Sequence, residues 1–330
     1  MSSVDLAIVG FGRIGRIHAE NILSMQGANL KMIVDPILDI DEGLKRGGIQ
    51  QSKNIADLFS LQKIDGVIIC SPSNYHVEQI KELSKATKNI FCEKPLGLSI
   101  KEIMEVKSLV DSKNLNLHVG FNRRFDPDFS SLKLSIVSGD IGDLHMIKII
   151  SRDPSPPPIS YIEKSGGMFL DMTIHDFDMV KYLSGVEISE IYAKGDCFID
   201  PEIKKANDID TAIINMTLKN GILATINNSR KAVYGYDQRI EVLGSKGTMI
   251  VGNKLLHGVR KGTKDGFTSA NPKNFFIDRY KESYQIEIAD FIRSTSGETV
   301  DHANVDDGLH ALKIGLATNK SLLKNKPIQL

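Results

Sequence analysis

The sequence predicts an α/β protein of two domains: an N-terminal doubly wound parallel sheet over residues 1–121, then a C-terminal α+β domain with a large, mostly antiparallel open sheet over residues 122–330. Three observations predict it. At 330 residues the chain exceeds the roughly 250–300 at which single cores stop growing. Short apolar runs alternate with amphipathic stretches up to about Gly120, the pattern of βαβ units whose sheet is covered on both faces. Beyond that point the alternation gives way to a succession of strands.

The elements follow in order from periodicity. Val4 to Val9 is a strand, Arg13 to Gln26 a helix and Leu30 to Val34 a strand. Ile55 to Leu61 is helical, Gly66 to Cys70 a strand, Tyr75 to Thr87 a helix and Ile90 to Cys92 a short strand. Ile103, Val106, Leu109 and Val110 share one face of a helix over Ile100 to Ser112, and Leu115 to Val119 closes the series. In the second half, helices over Asp128 to Ser138 and Phe169 to Leu183 are separated by a strand at Asp143 to Ser151 and a proline-rich loop, Arg152 to Pro158. Five strands come next: Glu190 to Phe198, Thr211 to Leu218, Leu223 to Arg230, Gln238 to Leu243 and Gly247 to Val251. Asn220-Gly221 predicts a two-residue hairpin turn with positive φ at both positions. Helices over Tyr280 to Ser294 and Asp306 to Asn325 end the chain.

Forty-one basic residues balance forty-one acidic ones, so no global field gathers nucleic acid or an anionic membrane. The expected partner is a small, nearly uncharged molecule. The N-terminus has no basic region before its apolar stretch, and no window reaches the roughly 18 apolar residues of a spanning helix, so a cytoplasmic location is expected. Cys70, Cys92 and Cys197 lack metal-ligand spacing and read as small core residues; no metal is expected.

Gly10-Phe11-Gly12-Arg13-Ile14-Gly15 follows the first strand and opens the first helix, where a GxGxxG pattern has mechanical meaning. Gly10 permits the tight turn, Gly12 admits a pyrophosphate, Gly15 lets helix and strand pack, and the helix N-terminus offers free N–H groups. Asp35, twenty residues on at the end of the second strand, suits the adenosine ribose hydroxyls and repels a 2′-phosphate. NAD is therefore the expected cofactor. Ser71, Pro72 and Asn74 leave the next strand at the sheet's carboxyl edge, where ligands bind, although an ordinary turn opening a helix reads the same way. His76 falls in the following helical turn, with a solvated position as the competing reading, and His18 reads as structural.

Glu93-Lys94-Pro95 emerges at the same edge, and its proline can fix the loop that carries Lys94. In the segment Gly166 to Asp178, a helix would stack Asp171 and His175 one turn apart. Oxidising a secondary alcohol needs a base for the hydroxyl proton and positive charge beside the oxygen. Histidine and lysine supply these near neutrality.

On GFGRIGRIHA, the EKP triplet and GGMFLDMTIHDFDM with its D-x-x-x-H pattern, the chain resembles the Gfo/Idh/MocA oxidoreductase family over essentially its full length. The resemblance implies a Rossmann domain followed by an open-sheet α/β domain. It further implies a reacting group of Lys94, Asp171 and His175, with His175 as base and hydride passing to the nicotinamide, and places Glu93 and Lys94 beside the cofactor. SRDPSPPPISYIEKSGGMFLDMTIHDFDM, GFNRRFDPDF and AVYGYDQRIEVLGSKG look like inositol dehydrogenases, which implies a cyclic polyol substrate, foremost myo-inositol oxidised to 2-keto-myo-inositol. Arg124, Asp153 and Tyr236, from those segments, are the implied contacts to the other hydroxyls; pairing of Arg123 or Arg124 with Asp126 or Asp128, and simple strand alternation of Tyr234 and Tyr236, compete with this. Related readings are an enzyme for scyllo-inositol, another isomer or a hexose, and a non-catalytic NAD sensor. The open sheet implies a homo-oligomer, a tetramer built as a dimer of dimers.

Overall fold

The computed structural model describes residues 3–330. The chain divides into two compact units, Met1–Phe125 with Ser283–Leu312, and Asp126–Glu282 with Lys313–Leu330. The division differs from a simple cut at residue 121 because Ile288, Phe291 and Ile292 return to the apolar core of the first unit, beside Leu6, Ile8, Ile22, Ile33, Ile68 and Phe91.

The first unit contains β1 (Val4–Val9), α1 (Arg13–Ser24), β2 (Ala28–Val34), α2 (Glu42–Arg46), β3 (Gln50–Ser52), β4 (Gly66–Ile69), α3 (His76–Leu83), β5 (Asn89–Glu93), α4 (Ile100–Lys113) and β6 (Asn116–Gly120). Its strands are all parallel in the order β3-β2-β1-β4-β5-β6. This is the dinucleotide-binding order, with the reversal falling between β1 and β4. All four residues of β4, Gly66 to Ile69, are buried, as a parallel strand covered on both faces must be. Helix α4 starts on a capping box, in which the Ser99 hydroxyl accepts from the Glu102 amide and the Glu102 carboxylate accepts from the Ser99 amide. The short edge strand β3 was not foreseen, because its Gln-Gln-Ser sequence carries no apolar run. Ile55–Ser60 is helical as expected, in the tighter 3₁₀ form.

The second unit and the rest of the chain comprise α5 (Pro127–Val137), β7 (Leu144–Arg152), α6 (Ile159–Ser165), α7 (Met168–Asp171), α8 (Ile174–Ser184), β8 (Ile188–Asp196), α9 (Pro201–Lys205), β9 (Thr211–Leu218), β10 (Leu223–Ser229), β11 (Asp237–Gly244), β12 (Gly247–Val251), β13 (Arg260–Thr263), β14 (Gly266–Ser269), α10 (Phe276–Arg279), α11 (Lys281–Thr295), α12 (Val305–Lys324) and β15 (Ile328–Gln329). Seven strands form one sheet in the order β12-β11-β7-β10-β9-β8-β15. Its pairs are antiparallel except β7 with β10. Buried and exposed residues alternate along β9, so one face is packed and the other open. The strands flanking Asn220-Gly221 form the expected antiparallel hairpin, but its turn is not the two-residue kind. Of the two, only Gly221 has positive φ, at 89°. The Gly221 amide donates to Leu218 O and the Leu218 amide to Ile222 O, so the connection is a longer turn closed by a left-handed glycine.

Candidate active site

The glycine motif folds as its spacing demands. Gly10 has φ of 95°, and a Cβ on it would meet the Ser71 backbone nitrogen at 2.5 Å, so the loops after β1 and β4 touch there and only glycine suits. A Cβ on Gly15 would sit 2.1 Å from Gly10 O. Gly12, the N-cap of α1, has nothing within 4 Å of that position and no side-chain cap, which leaves the amides of the first turn available to an anion. Arg13 is exposed, Ile14 half-buried, and the Phe11 ring is buried under the Arg16 guanidinium at 4.3 Å. A dinucleotide pyrophosphate therefore fits this loop.

Asp35 is mostly buried and accepts three backbone N–H bonds, from Phe11 at 2.7 Å, Ile37 at 2.9 Å and Leu38 at 2.8 Å. Burial pushes its carboxyl up, but the amides of Leu38, Phe11 and Ile37, together with Lys53, outweigh this and hold its pKa below the ordinary value. It stays ionised. After β4, the Ser71 hydroxyl donates to Gln79 Oε1 at 2.6 Å, while Pro72 and Asn74 are exposed. His76 is not solvated: it is 1% exposed, with Nδ1 2.8 Å from Pro95 O and Nε2 2.8 Å from Ser71 O.

Glu93 ends β5, and its Oε1 lies 2.9 Å from Nε2 of the fully buried His18. Lys94 is half-buried, and the Lys94–Pro95 bond is cis.

The D-x-x-x-H segment is two helices where one was expected. Gly167, at φ of 82°, precedes α7, whose Met168 amide donates to Asp208 Oδ1 at 2.9 Å. Helix α7 ends at Asp171 and α8 begins at Ile174, but Met172 and Thr173 both keep right-handed helical backbone, so Asp171 and His175 remain one turn apart. The ladder breaks because the Thr173 amide reaches back five residues to Met168 O, a wide turn of the kind found at functional sites. Both side chains are half-buried, and Asp171 Oδ1 accepts the Tyr161 hydroxyl at 2.9 Å. Beneath them runs a buried network. The Thr173 hydroxyl donates to Asn228 Oδ1 at 2.7 Å, and Asn228 Nδ2 donates to Asp176 Oδ2 at 2.9 Å. Asn228 and Asp176 are fully buried.

Of the implied hydroxyl contacts, Arg124 belongs to the first unit and donates to Asp307 Oδ2 at 3.2 Å, while Asp126 binds Arg279. Asp153 and Tyr236 belong to the second unit. The half-buried Asp153 is pinned through its backbone to Ser229 and Ala232, and the buried Tyr236 packs edge-on against Tyr280. Strand alternation does not relate Tyr234 to Tyr236, because Gly235 turns between them at φ of 127° before β11 begins.

Residues 4–121 match the model of an oxidoreductase family with an NAD-binding Rossmann fold, and residues 129–250 match the Gfo/Idh/MocA C-terminal domain. The chain belongs to the Gfo/Idh/MocA oxidoreductase family. It is 42% identical over 325 residues to the uncharacterized oxidoreductase YrbE of Bacillus subtilis, with 98% of this chain and 95% of that one covered. It is 41% identical over 327 residues to myo-inositol 2-dehydrogenase of Thermotoga maritima, covering 98% of each. Its fold superposes with a TM-score of 0.92, at 30% identity and 99% coverage of both chains, on the scyllo-inositol dehydrogenase of Lactobacillus casei solved with NAD(H) and scyllo-inositol. As a Gfo/Idh/MocA protein it is an NAD-dependent dehydrogenase, and the open loop at Gly10 to Gly15 with the ionised Asp35 has the space and charge to fit NAD.

Several supporting residues of this Gfo/Idh/MocA chain escaped the sequence reading. Asn228 carried a usable signal, a pair of asparagines inside an otherwise apolar strand pattern. Tyr161, on a helix the proline-rich loop concealed, and the carbonyl partners of His76 carried none.

Proposed function

We propose that this dehydrogenase oxidises one secondary hydroxyl of an inositol, foremost the 2-hydroxyl of myo-inositol, to the ketone. The observation that carries the reading is the half-buried Asp171 and His175, one turn apart on a segment anchored by Thr173, Asn228 and Asp176, in a chain 41% identical throughout to a myo-inositol 2-dehydrogenase. His175 takes the hydroxyl proton, Lys94 stabilises the developing charge on oxygen, and Asp171, itself oriented by Tyr161, helps Lys94 orient and polarise that same hydroxyl. Bound NAD supplies the acceptor for the hydride that leaves the same carbon. Arg124, Asp153 and Tyr236 contact the remaining hydroxyls, Ser71, Pro72 and Asn74 line the cofactor's path, and the buried His76 acts on that path only through the loops it packs between. The likeness to a scyllo-inositol dehydrogenase supports the second reading, the same reaction on the scyllo isomer.

The test is NADH absorbance on mixing the protein and NAD with single inositol isomers and aldoses. Turnover greatest with myo-inositol is expected; turnover with glucose alone, or with no polyol, overturns the reading.

The same reading places the enzyme in the cytosol, beside the NAD pool it draws on, as a tetramer of paired dimers. Met146 pairs with Leu223 and Leu243 across three strands on the open sheet face, and the three side chains are 42%, 50% and 43% exposed. A second copy would bury that row. Light scattering on Leu223→Glu should give a smaller species than the parent chain.

A further inference from the structure

Two buried histidines hold the segment that carries Lys94, and neither belongs to the reacting group. His18, on the helix that starts at the glycine loop, is fully buried and clamped edge-on against Phe91 at 5.3 Å and Tyr284 at 5.7 Å. Its Nε2 faces Glu93 Oε1 at 2.9 Å, and its Nδ1 is buried without a hydrogen-bond partner. An unsatisfied buried N–H costs about 1–3 kcal/mol, so the proton belongs on Nε2, where it is donated to the carboxylate. Gly120 leaves the room this requires, since a Cβ there would lie 2.9 Å from Glu93 Oε2.

His76 does for the backbone what His18 does for the side chain. Its ring sits between the Pro95 and Ser71 carbonyls, each 2.8 Å from one nitrogen. Burial favours the neutral ring, which donates a single proton, so it hydrogen-bonds one carbonyl and packs against the other, filling the space between the loop after β5 and the loop after β4. Lys94 thus has its preceding residue bonded to α1 and its following residue held against the first residue of α3. A lysine has a long, flexible stem, so fixing its root on both sides narrows where its ammonium can go.

We propose that His18 and His76 are positioning residues that together brace Lys94, fixing its ammonium relative to the cofactor loops after β1 and β4. The proposal rests on the reading of Lys94 as the group that stabilises charge on the reacting oxygen. Misplacement of a reacting group by about 1 Å can cost on the order of 100-fold in rate, so loss of either strut acts on turnover before it acts on binding.

The experiment uses the full chain with NAD and the polyol that gives the highest turnover. His18→Leu and His76→Leu remove the struts; His18→Gln keeps an N–H donor toward Glu93 and covers the case in which His18→Leu fails to fold. The leucine variants should lower kcat roughly 10- to 100-fold while NAD affinity by calorimetry moves less than about 3-fold, and His18→Gln should recover most of the loss. In a Lys94→Ala background, the same leucine changes should alter the residual single-turnover rate less than about 2-fold, because a brace has nothing left to position. An equal loss with and without Lys94, or NAD affinity falling in step with kcat, overturns the proposal in favour of a general structural role. Lys94→Ala turning over like the parent would overturn the reading of Lys94 itself, and with it the brace, a failure visible without any change at the histidines.

Discussion

In the proposed reading the two units solve recognition differently. The first would meet its ligand with backbone at the carboxyl ends of parallel strands, where Gly10 follows β1, Ser71 follows β4 and the Lys94 segment follows β5. The second presents side chains from an interrupted helix, Asp171 and His175, over a buried polar network. Backbone recognition depends on where the chain can pass, which glycine spacing announces locally. Side-chain recognition depends on which distant residues anchor the segment, which no local spacing announces.

The comparison breaks most sharply if the side chains named here can be removed without loss. Lys94→Ala and His175→Ala should each lower kcat by at least ~100-fold, while NAD binding by calorimetry stays nearly intact. Parallel loss of binding would mean that the second unit's histidine, or the lysine, serves the cofactor instead of the chemistry. The anchor beneath comes next in size. Asn228→Leu leaves the Thr173 hydroxyl and the Asp176 carboxylate each short of one buried bond and should cost about 2–4 kcal/mol in urea unfolding. An unchanged midpoint would mean that the network is not what holds α8.

How much of each unit was legible follows from the same difference. In the first, GxGxxG placed Gly10 and Gly15 where a side chain would collide, and Asp35 fell at the end of β2 as its spacing required. What stayed hidden there was long-range. His18 meets Glu93 across 75 positions of sequence, and α11 returns from the far end of the chain to complete the core. In the second unit the strands Thr211–Leu218 and Gly247–Val251 were read from alternation alone. The parallel pairing of β7 with β10 was not, because register is set by a partner about 80 residues away and periodicity names no partner. The break between α7 and α8 was invisible for another reason: its residues keep helical backbone, so only the hydrogen-bond ladder records it.

His118 sharpens the view of the first unit as a closed interior. It is buried on β6 and stacked on His302 at 3.6 Å; burial, aided by the His302 charge, pushes its pKa down to about 3. The folded ring therefore stays neutral while the unfolded ring protonates below its ordinary value, and stability falls as pH drops from about 6.5 toward 3. Between pH 7 and 5 this amounts to about 2 kcal/mol. His118→Phe should flatten the pH dependence of the urea midpoint by that amount. An unchanged slope would show that the ring is solvated or already charged in the fold.

Asp35 tests whether backbone recognition in the first unit is as separate from side-chain recognition as the contrast suggests. A carboxylate offers about four lone-pair positions, and three are taken by its own chain's amides, including that of Phe11 inside the glycine motif. About one remains for a ribose hydroxyl. In the proposed reading the residue has two separable effects: it holds the loop, and its charge disfavours a 2′-phosphate. Asp35→Ser removes both, so NAD affinity should fall and the NAD over NADP preference in kcat/KM should relax by roughly 10-fold. Asp35→Asn keeps an oxygen for part of the loop contacts while discharging the site. If charge sets the preference, Asn should relax it nearly as far as Ser with a smaller loss of NAD affinity. If the loop geometry sets it, Asn should keep the preference and only Ser should lose it. A ratio unmoved in both variants would mean that another group reads the ribose and that Asp35 belongs wholly to the backbone it binds.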